Sequence, residues 1–236
     1  MPRIEQPKAS KGSQRWLQIL VNRCPQLLNE QILPQMGGLG ARIEWLSPLE
    51  NDRYAEYRDQ DFLERLKIQL DRRPLKSFWP RRGPQWDALG LVNGKEPILL
   101  EAKAHIAELN SPASQARGPS RDKIRQSLEE ARRFFCRRAS SANDKTPARD
   151  WLTTFYQYTN RLAHLYLLRE ANRIPAHLVF LYFVNAEDVR GPTTREEWRG
   201  ATNPCHILLG IGANRSPAHV IDAFVDVADL REASSG

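Results

Sequence analysis

Cysteine is scarce in this chain of 236 residues: Cys24, Cys136 and Cys205 are odd in number and far apart. With no C-x-x-C pair they offer neither a zinc site nor a dithiol redox motif, and the expectation is three reduced, packed thiols. No uninterrupted apolar run approaches the roughly 18 residues of a membrane-spanning helix. The polar opening, MPRIEQPKASKGSQR, also lacks the apolar centre of a signal peptide. These absences lead to an expected cytoplasmic protein with no membrane partner. There is no G-x-x-x-x-G-K-[ST] phosphate loop, so energy-driven movement would belong to a partner, and no internal repeat.

What is present is ordinary for a folded chain: 41% hydrophobic and 27% charged residues. The length suits one domain with a sizeable core. Residues 1–13 are polar and read as a disordered lead-in, leaving residues 14–236 as a single domain. The charge is not balanced. Lysine and arginine number 35 against 28 acids, a net +7 that suits a polyanion whose phosphates they would neutralise.

Apolar spacing predicts amphipathic helices over 16–32, 54–70, 121–138 and 151–171. Short runs over 75–79, 85–92 and 97–106 read as strands, the last two joined by Asn93-Gly94, a strong hairpin signal. Residues 177–185 (HLVFLYFVN) form a continuous apolar run, expected of a central strand buried on both faces. Two more strands are predicted over 205–211 and 219–227. Helix, three strands, two helices and a strand, with a strand pair at the end, make a mixed α/β architecture.

The third strand carries the chemistry. In Ile98-Leu99-Leu100-Glu101-Ala102-Lys103 a carboxylate and an ammonium interrupt an apolar strand two positions apart, so period two puts both on one face. Asp87 lies in the preceding strand of the hairpin, where antiparallel pairing can bring it to Glu101. Two hard carboxylates suit Mg²⁺ or Mn²⁺, with the Ala102 carbonyl as a third oxygen. The metal would polarise a phosphoryl oxygen and lower the pKa of a water, while Lys103 orients that water and offsets developing charge. Because two close acids repel, neutralising either one is expected to leave the metal-free protein at least as stable.

Trp86-Asp87-Ala88 followed by Leu100-Glu101-Ala102-Lys103 resembles the PD-(D/E)XK nuclease superfamily, the restriction-endonuclease-like fold, with Trp86 in place of the proline. The resemblance covers residues 54–185. It implies an αβββαβ core with a mixed central sheet, Asp87 and Glu101 as metal ligands, Lys103 as a catalytic residue, and hydrolysis of a nucleic-acid phosphodiester, DNA first. It further implies an acidic residue from the helix before the strands, Glu56 or Glu64, near the metal.

The long helix carries Gln157, Asn160, Arg161 and His164 on one polar stripe, similar to the glutamine-bearing helix of several nuclease families. Gln157 and Arg161 are therefore expected at the metal site or the substrate backbone. The basic residues of the preceding helix, Arg132, Arg133, Arg137 and Arg138 above all, are a candidate phosphate-tracking surface. A module of the same fold that binds nucleic acid without cutting is the alternative, and a homodimer is left open.

Overall fold

The computed structural model describes residues 3–37, 41–139, 150–191, 193–212 and 217–235, without the side chains of 137–139, 234 and 235. Along the chain the elements are β1 (Arg3–Ile4), α1 (Gly12–Arg23), α2 (Pro25–Ile32), β2 (Ile43–Ser47), β3 (Glu56–Tyr57), α3 (Asp59–Arg65) and α4 (Leu75–Phe78). There follow β4 (Ala88–Val92), β5 (Glu96–Lys103), α5 (Gly118–Ala139), α6 (Tyr156–Tyr166), β6 (His177–Val184), α7 (Arg195–Leu209), β7 (Val220–Asp226) and α8 (Val227–Ser235).

Five strands form one mixed sheet in the order β2-β4-β5-β6-β7, antiparallel from β2 to β5 and parallel from β5 to β7. Alternation along the strands divides the interior in two. Leu89, Leu99 and Phe180 pack with Phe62, Leu128, Leu162 and Trp198 of α3, α5, α6 and α7. Leu100, Ala102 and Val179 pack on the other face with Trp16, Leu20, Leu28 and Leu230 of α1, α2 and α8. The architecture is thus mixed α/β, a five-stranded sheet flanked by helices. Every residue of β6 is buried, as its unbroken apolar run requires.

The β4–β5 hairpin follows from its turn. Asn93 (φ 51°) and Gly94 (φ 69°) hold the two left-handed central positions, closed by the Lys95 N–H donating to the Val92 carbonyl at 3.0 Å. Such turns match the strand twist and admit Asn-Gly readily.

Several elements differ from the sequence expectation, each for a local reason. The helix expected over 16–32 is two helices, because Pro25 has no N–H to donate and the chain bends at Cys24 (φ −132°, ψ 44°). The helix over 54–70 shrinks to α3, preceded by β3. The strand over 75–79 is the single turn α4, started by Pro74, whose carbonyl accepts the Ser77 hydroxyl at 2.7 Å. The first strand of the sheet is β2 instead, where Ile43, Trp45 and Ser47 are buried in alternation.

The strand over 205–211 is the end of α7. Its start was written in the sequence as Thr194-x-x-Glu197, a reciprocal capping box. Residues 3–4, within the stretch expected to be disordered, pair with Glu56–Tyr57 as a two-stranded ribbon. The core is therefore wider than residues 54–185, with α1, α2 and β2 before it and β7 after. Among the described residues no helix is long and apolar enough to cross a membrane.

Candidate active site

The hairpin register pairs Ala88 with Leu100 and Leu89 with Leu99. One further step sets Asp87 opposite Glu101, with both side chains on the α6 face. Regular pairing stops there because Trp86 turns to β3, donating its N–H to the Tyr57 carbonyl at 3.0 Å. Asp87 fills the gap: its Oδ2 accepts the Ala102 N–H at 2.8 Å. The N–H and C=O of a strand residue point to the same side, so the Ala102 carbonyl is directed to the edge that Asp87 occupies.

Glu101 is 1% exposed and Lys103 6%. Charges so deep persist only when paired, and both are. Glu101 Oε1 accepts from Lys103 Nζ at 2.5 Å, and its Oε2 accepts from Arg161 Nε at 2.8 Å, with Arg161 Nη2 in ion-pair contact at 2.5 Å. Lys103 Nζ also donates to Gln157 Oε1 at 2.6 Å. Arg161 is fixed further by the Gln85 carbonyl (2.7 Å), by Asn160 Oδ1 (3.0 Å) and by the Trp86 ring 4.8 Å beneath its guanidinium.

Phe155 (φ 50°) stands just before the first residue of α6, and Ser111 Oγ accepts the Gln157 N–H at 2.8 Å. That start aims its first turns at β5.

The structure divides the polar stripe of α6. Gln157 and Arg161 meet Lys103 and Glu101, and Asn160 supports Arg161. His164 belongs to the interior, with Phe62, Phe78, Trp79 and Trp86 around it and Nδ1 on the Asn160 carbonyl at 2.8 Å. Burial pushes its pKa down to about 3, so the ring is neutral.

Glu56 of β3 is buried among amides: Gln14 Nε2 donates at 3.3 Å, Gln6 Nε2 at 3.2 Å, and Gln85 Nε2 through a short bond. Glu64 is exposed on α3. Arg132 and Arg133 both pair with Glu129 on their own helix, and the side chains of Arg137 and Arg138 lie outside the described residues.

The acids respond differently to these surroundings. Burial, then the charges of Glu101 and Glu56, push the Asp87 carboxyl well above its usual range, against the opposing pull of Lys103 and the Ala102 N–H. Burial also raises Glu56, with Glu101 adding to the effect and the Gln85 and Gln14 amides opposing it. For Glu101 burial acts upward too, but Arg161 and Lys103 outweigh it and the group lies below the ordinary carboxylate value. One acid of the facing pair is thus biased towards its proton and the other towards its charge.

Above these groups opens a cleft of about 970 Å³. Gln85, Lys103, Gln157 and Arg161 line it together with Arg81, Arg82 and Arg117. Sequence reading missed Gln85, Gln6 and Gln14, because a neutral amide has no charge to interrupt an apolar pattern. It also missed Arg81 and Arg82 as site residues.

Among the described residues no group of three or more His, Cys, Asp or Glu is arranged to hold a metal. The oxygen donors gathered next to Lys103 are Asp87, Glu101 and the Ala102 carbonyl. That set fits Mg²⁺, which binds through one or two carboxylates and keeps most of its waters. No protein-family model, no curated protein and no solved structure matches this chain.

Proposed function

We propose that this chain is a nuclease of the PD-(D/E)XK type that hydrolyses nucleic-acid phosphodiesters, DNA first among them, with Mg²⁺ or Mn²⁺. The observation that carries the reading is the meeting of Asp87 with the Ala102 backbone and of Glu101 with Lys103, beside a basic cleft that Lys103 lines. The order α1–α2, β2, β4, β5, α5–α6, β6 supports the αβββαβ core. The outermost β7 continues the sheet beyond it.

Asp87, Glu101 and the Ala102 carbonyl would hold the ion, which supplies positive charge beside the phosphate and makes water more acidic. Lys103 presents its ammonium to the cleft while Glu101 and Gln157 fix its position, so it can orient a water and offset charge on the phosphate oxygens. Arg161 aligns Glu101 and keeps it ionised. Because burial and the neighbouring acids raise the pKa of Asp87, metal binding should compete with its proton and strengthen as the pH rises.

A second reading, a module of the same fold that binds without cutting, is favoured by one observation: both Glu101 oxygens are engaged by cations. The test is cleavage of circular, linear and single-stranded DNA with Mg²⁺, Mn²⁺ or EDTA, beside thermal melts of the wild type and Lys103→Ala. The nuclease reading expects metal-dependent cutting and a metal-induced rise in melting temperature. Lys103→Ala should keep that rise while cutting falls roughly a hundred- to thousand-fold, as on loss of one pre-organised donor. Melts indifferent to both metals, with no substrate cut, would overturn it.

A further inference from the structure

We infer that the substrate is single-stranded nucleic acid, held on a basic track that crosses the 80–82 loop from the reaction cleft into a second pocket. This rests on the nuclease reading for the role of the cleft floor, but the track itself stands on geometry and charge. On the far side of Pro80, Arg81 and Arg82 lies a pocket of about 810 Å³, to which Arg58, Lys76 and Lys123 contribute. The same three loop residues line the reaction cleft, so the two concavities adjoin across one ridge.

The acids of both walls are turned inward. Asp59, the acid of the second pocket, accepts the backbone N–H of Arg82 (3.2 Å) and of Gly83 (2.8 Å), which seats the loop. Glu108, beside the reaction cleft, accepts the Ala104 N–H at 3.1 Å and the Ser13 hydroxyl at 3.4 Å. Arg81, Arg82 and Arg117 are exposed and make no ion pair among the described residues. The ridge is braced from below: Trp79 packs against His164 at 4.8 Å between ring centres, and Lys123 Nζ reaches the Lys76 carbonyl at 3.0 Å. A cationic ridge held this firmly neutralises successive phosphates without first having to order itself.

Depth selects the single strand. Lys103, buried with Glu101 behind it, lines the cleft between the loops over 80–85 and 110–117. A duplex presents its phosphates on a cylinder whose grooves are about 6 and 12 Å wide, with the second strand always alongside. The walls would hold it away from the floor. A lone strand can lower its backbone between them, turn a base onto Tyr156 in the cleft wall and continue over Arg81 and Arg82. A basic groove with an aromatic platform is the usual means of holding such a strand without reading its sequence.

The test is fluorescence anisotropy in EDTA, which separates binding from cutting, with short and long oligothymidine strands and a duplex of the longer length. Binding to the long strand should be at least tenfold tighter than to the duplex and should weaken as salt rises. Arg81→Ala/Arg82→Ala should weaken it tenfold or more and lower the slope of log affinity against log salt by about 1.4, at roughly 0.7 for each single-strand phosphate contact. Lys76→Ala/Lys123→Ala should weaken only the long strand, and Arg132→Ala/Arg133→Ala neither. Equal or tighter duplex binding, or an Arg81→Ala/Arg82→Ala protein that melts and binds like wild type, would overturn the track while leaving the metal-site reading intact. If the strand binds in the expected pattern but is never cut with either metal, the nuclease reading alone fails.

Discussion

The two faces of β5 differ in what they ask of their neighbours. Towards α1 the strand presents Ile98, Leu100 and Ala102, all buried against aliphatic and aromatic side chains. Towards α6 it presents Leu99, then Glu101 and Lys103, equally buried but ionised and joined to Arg161 and Gln157. The apolar face needs volume filled, and many side chains of suitable size do that. The ionic face needs every partner, because a buried charge that loses its counterion keeps the whole cost of leaving water. The ionic face is therefore the more brittle of the two.

Substitutions on the two faces break that comparison most sharply. Glu101→Gln leaves Arg161 and Lys103 facing a neutral amide and should cost about 3–5 kcal/mol in urea unfolding. Leu100→Ala, back to back with it, should cost about 2–5 kcal/mol by opening a cavity. Their stabilities overlap but their metal responses do not. Leu100→Ala should still melt higher with Mn²⁺, and Glu101→Gln should not. A Glu101→Gln protein as stable as wild type would refute the ion-pair account.

A smaller effect is expected at Gln157, one of the two acceptors of the Lys103 ammonium. Gln157→Ala should cost roughly 1.5–3 kcal/mol, the range for a hydrogen bond to a charged group. It should lower cutting while leaving the metal-induced melting shift in place. Unchanged cutting would remove Gln157 from the site.

The smallest effect separates the two acids. Asp87 holds its proton more tightly folded than unfolded. Its contribution to stability is present in full below the ordinary value of 3.8 and is lost as the pH rises through the elevated folded value. Asp87→Asn removes that loss, so metal-free stability should fall less steeply with rising pH in the variant than in the wild type. Mn²⁺ should reverse the order at neutral pH, since only the wild type gains the ligand. Parallel pH curves would mean that Asp87 is not held in its protonated form.

The expectation that neutralising either acid is harmless is therefore kept for Asp87 and replaced for Glu101, whose cationic partners would lose their counter-charge. Sequence reading counted two acids and one lysine around the floor of the site. Arg161, on the next-but-one helix, changes the balance at Glu101 by a hydrogen bond and an ion-pair contact to one oxygen. The same partial legibility applies to the fold. The long central strand, the hairpin and the helix over α5 were readable, because each is set by a period or by a turn dipeptide. The strand β2 was passed over and α4 was misread as a strand, because runs of four or five residues carry too little periodicity to separate helix from strand. The capping box of α7 was legible and overlooked.

By itself the sequence determined that Glu101 and Lys103 share one face, because period two alone puts them there. Asp87 joins them through the observed register, which pairs Val92 with Glu96, one residue beyond the Val92–Lys95 pairing that a two-residue Asn-Gly turn gives. Only the tertiary structure decided which charges these groups meet: Arg161 lies 60 residues from Glu101, Gln157 54 from Lys103, and Glu56 gathers amides up to 50 residues away. No local rule links such positions. They are brought together by the packing of α6 and the β1–β3 ribbon against the sheet, which depends on burying both apolar faces at once.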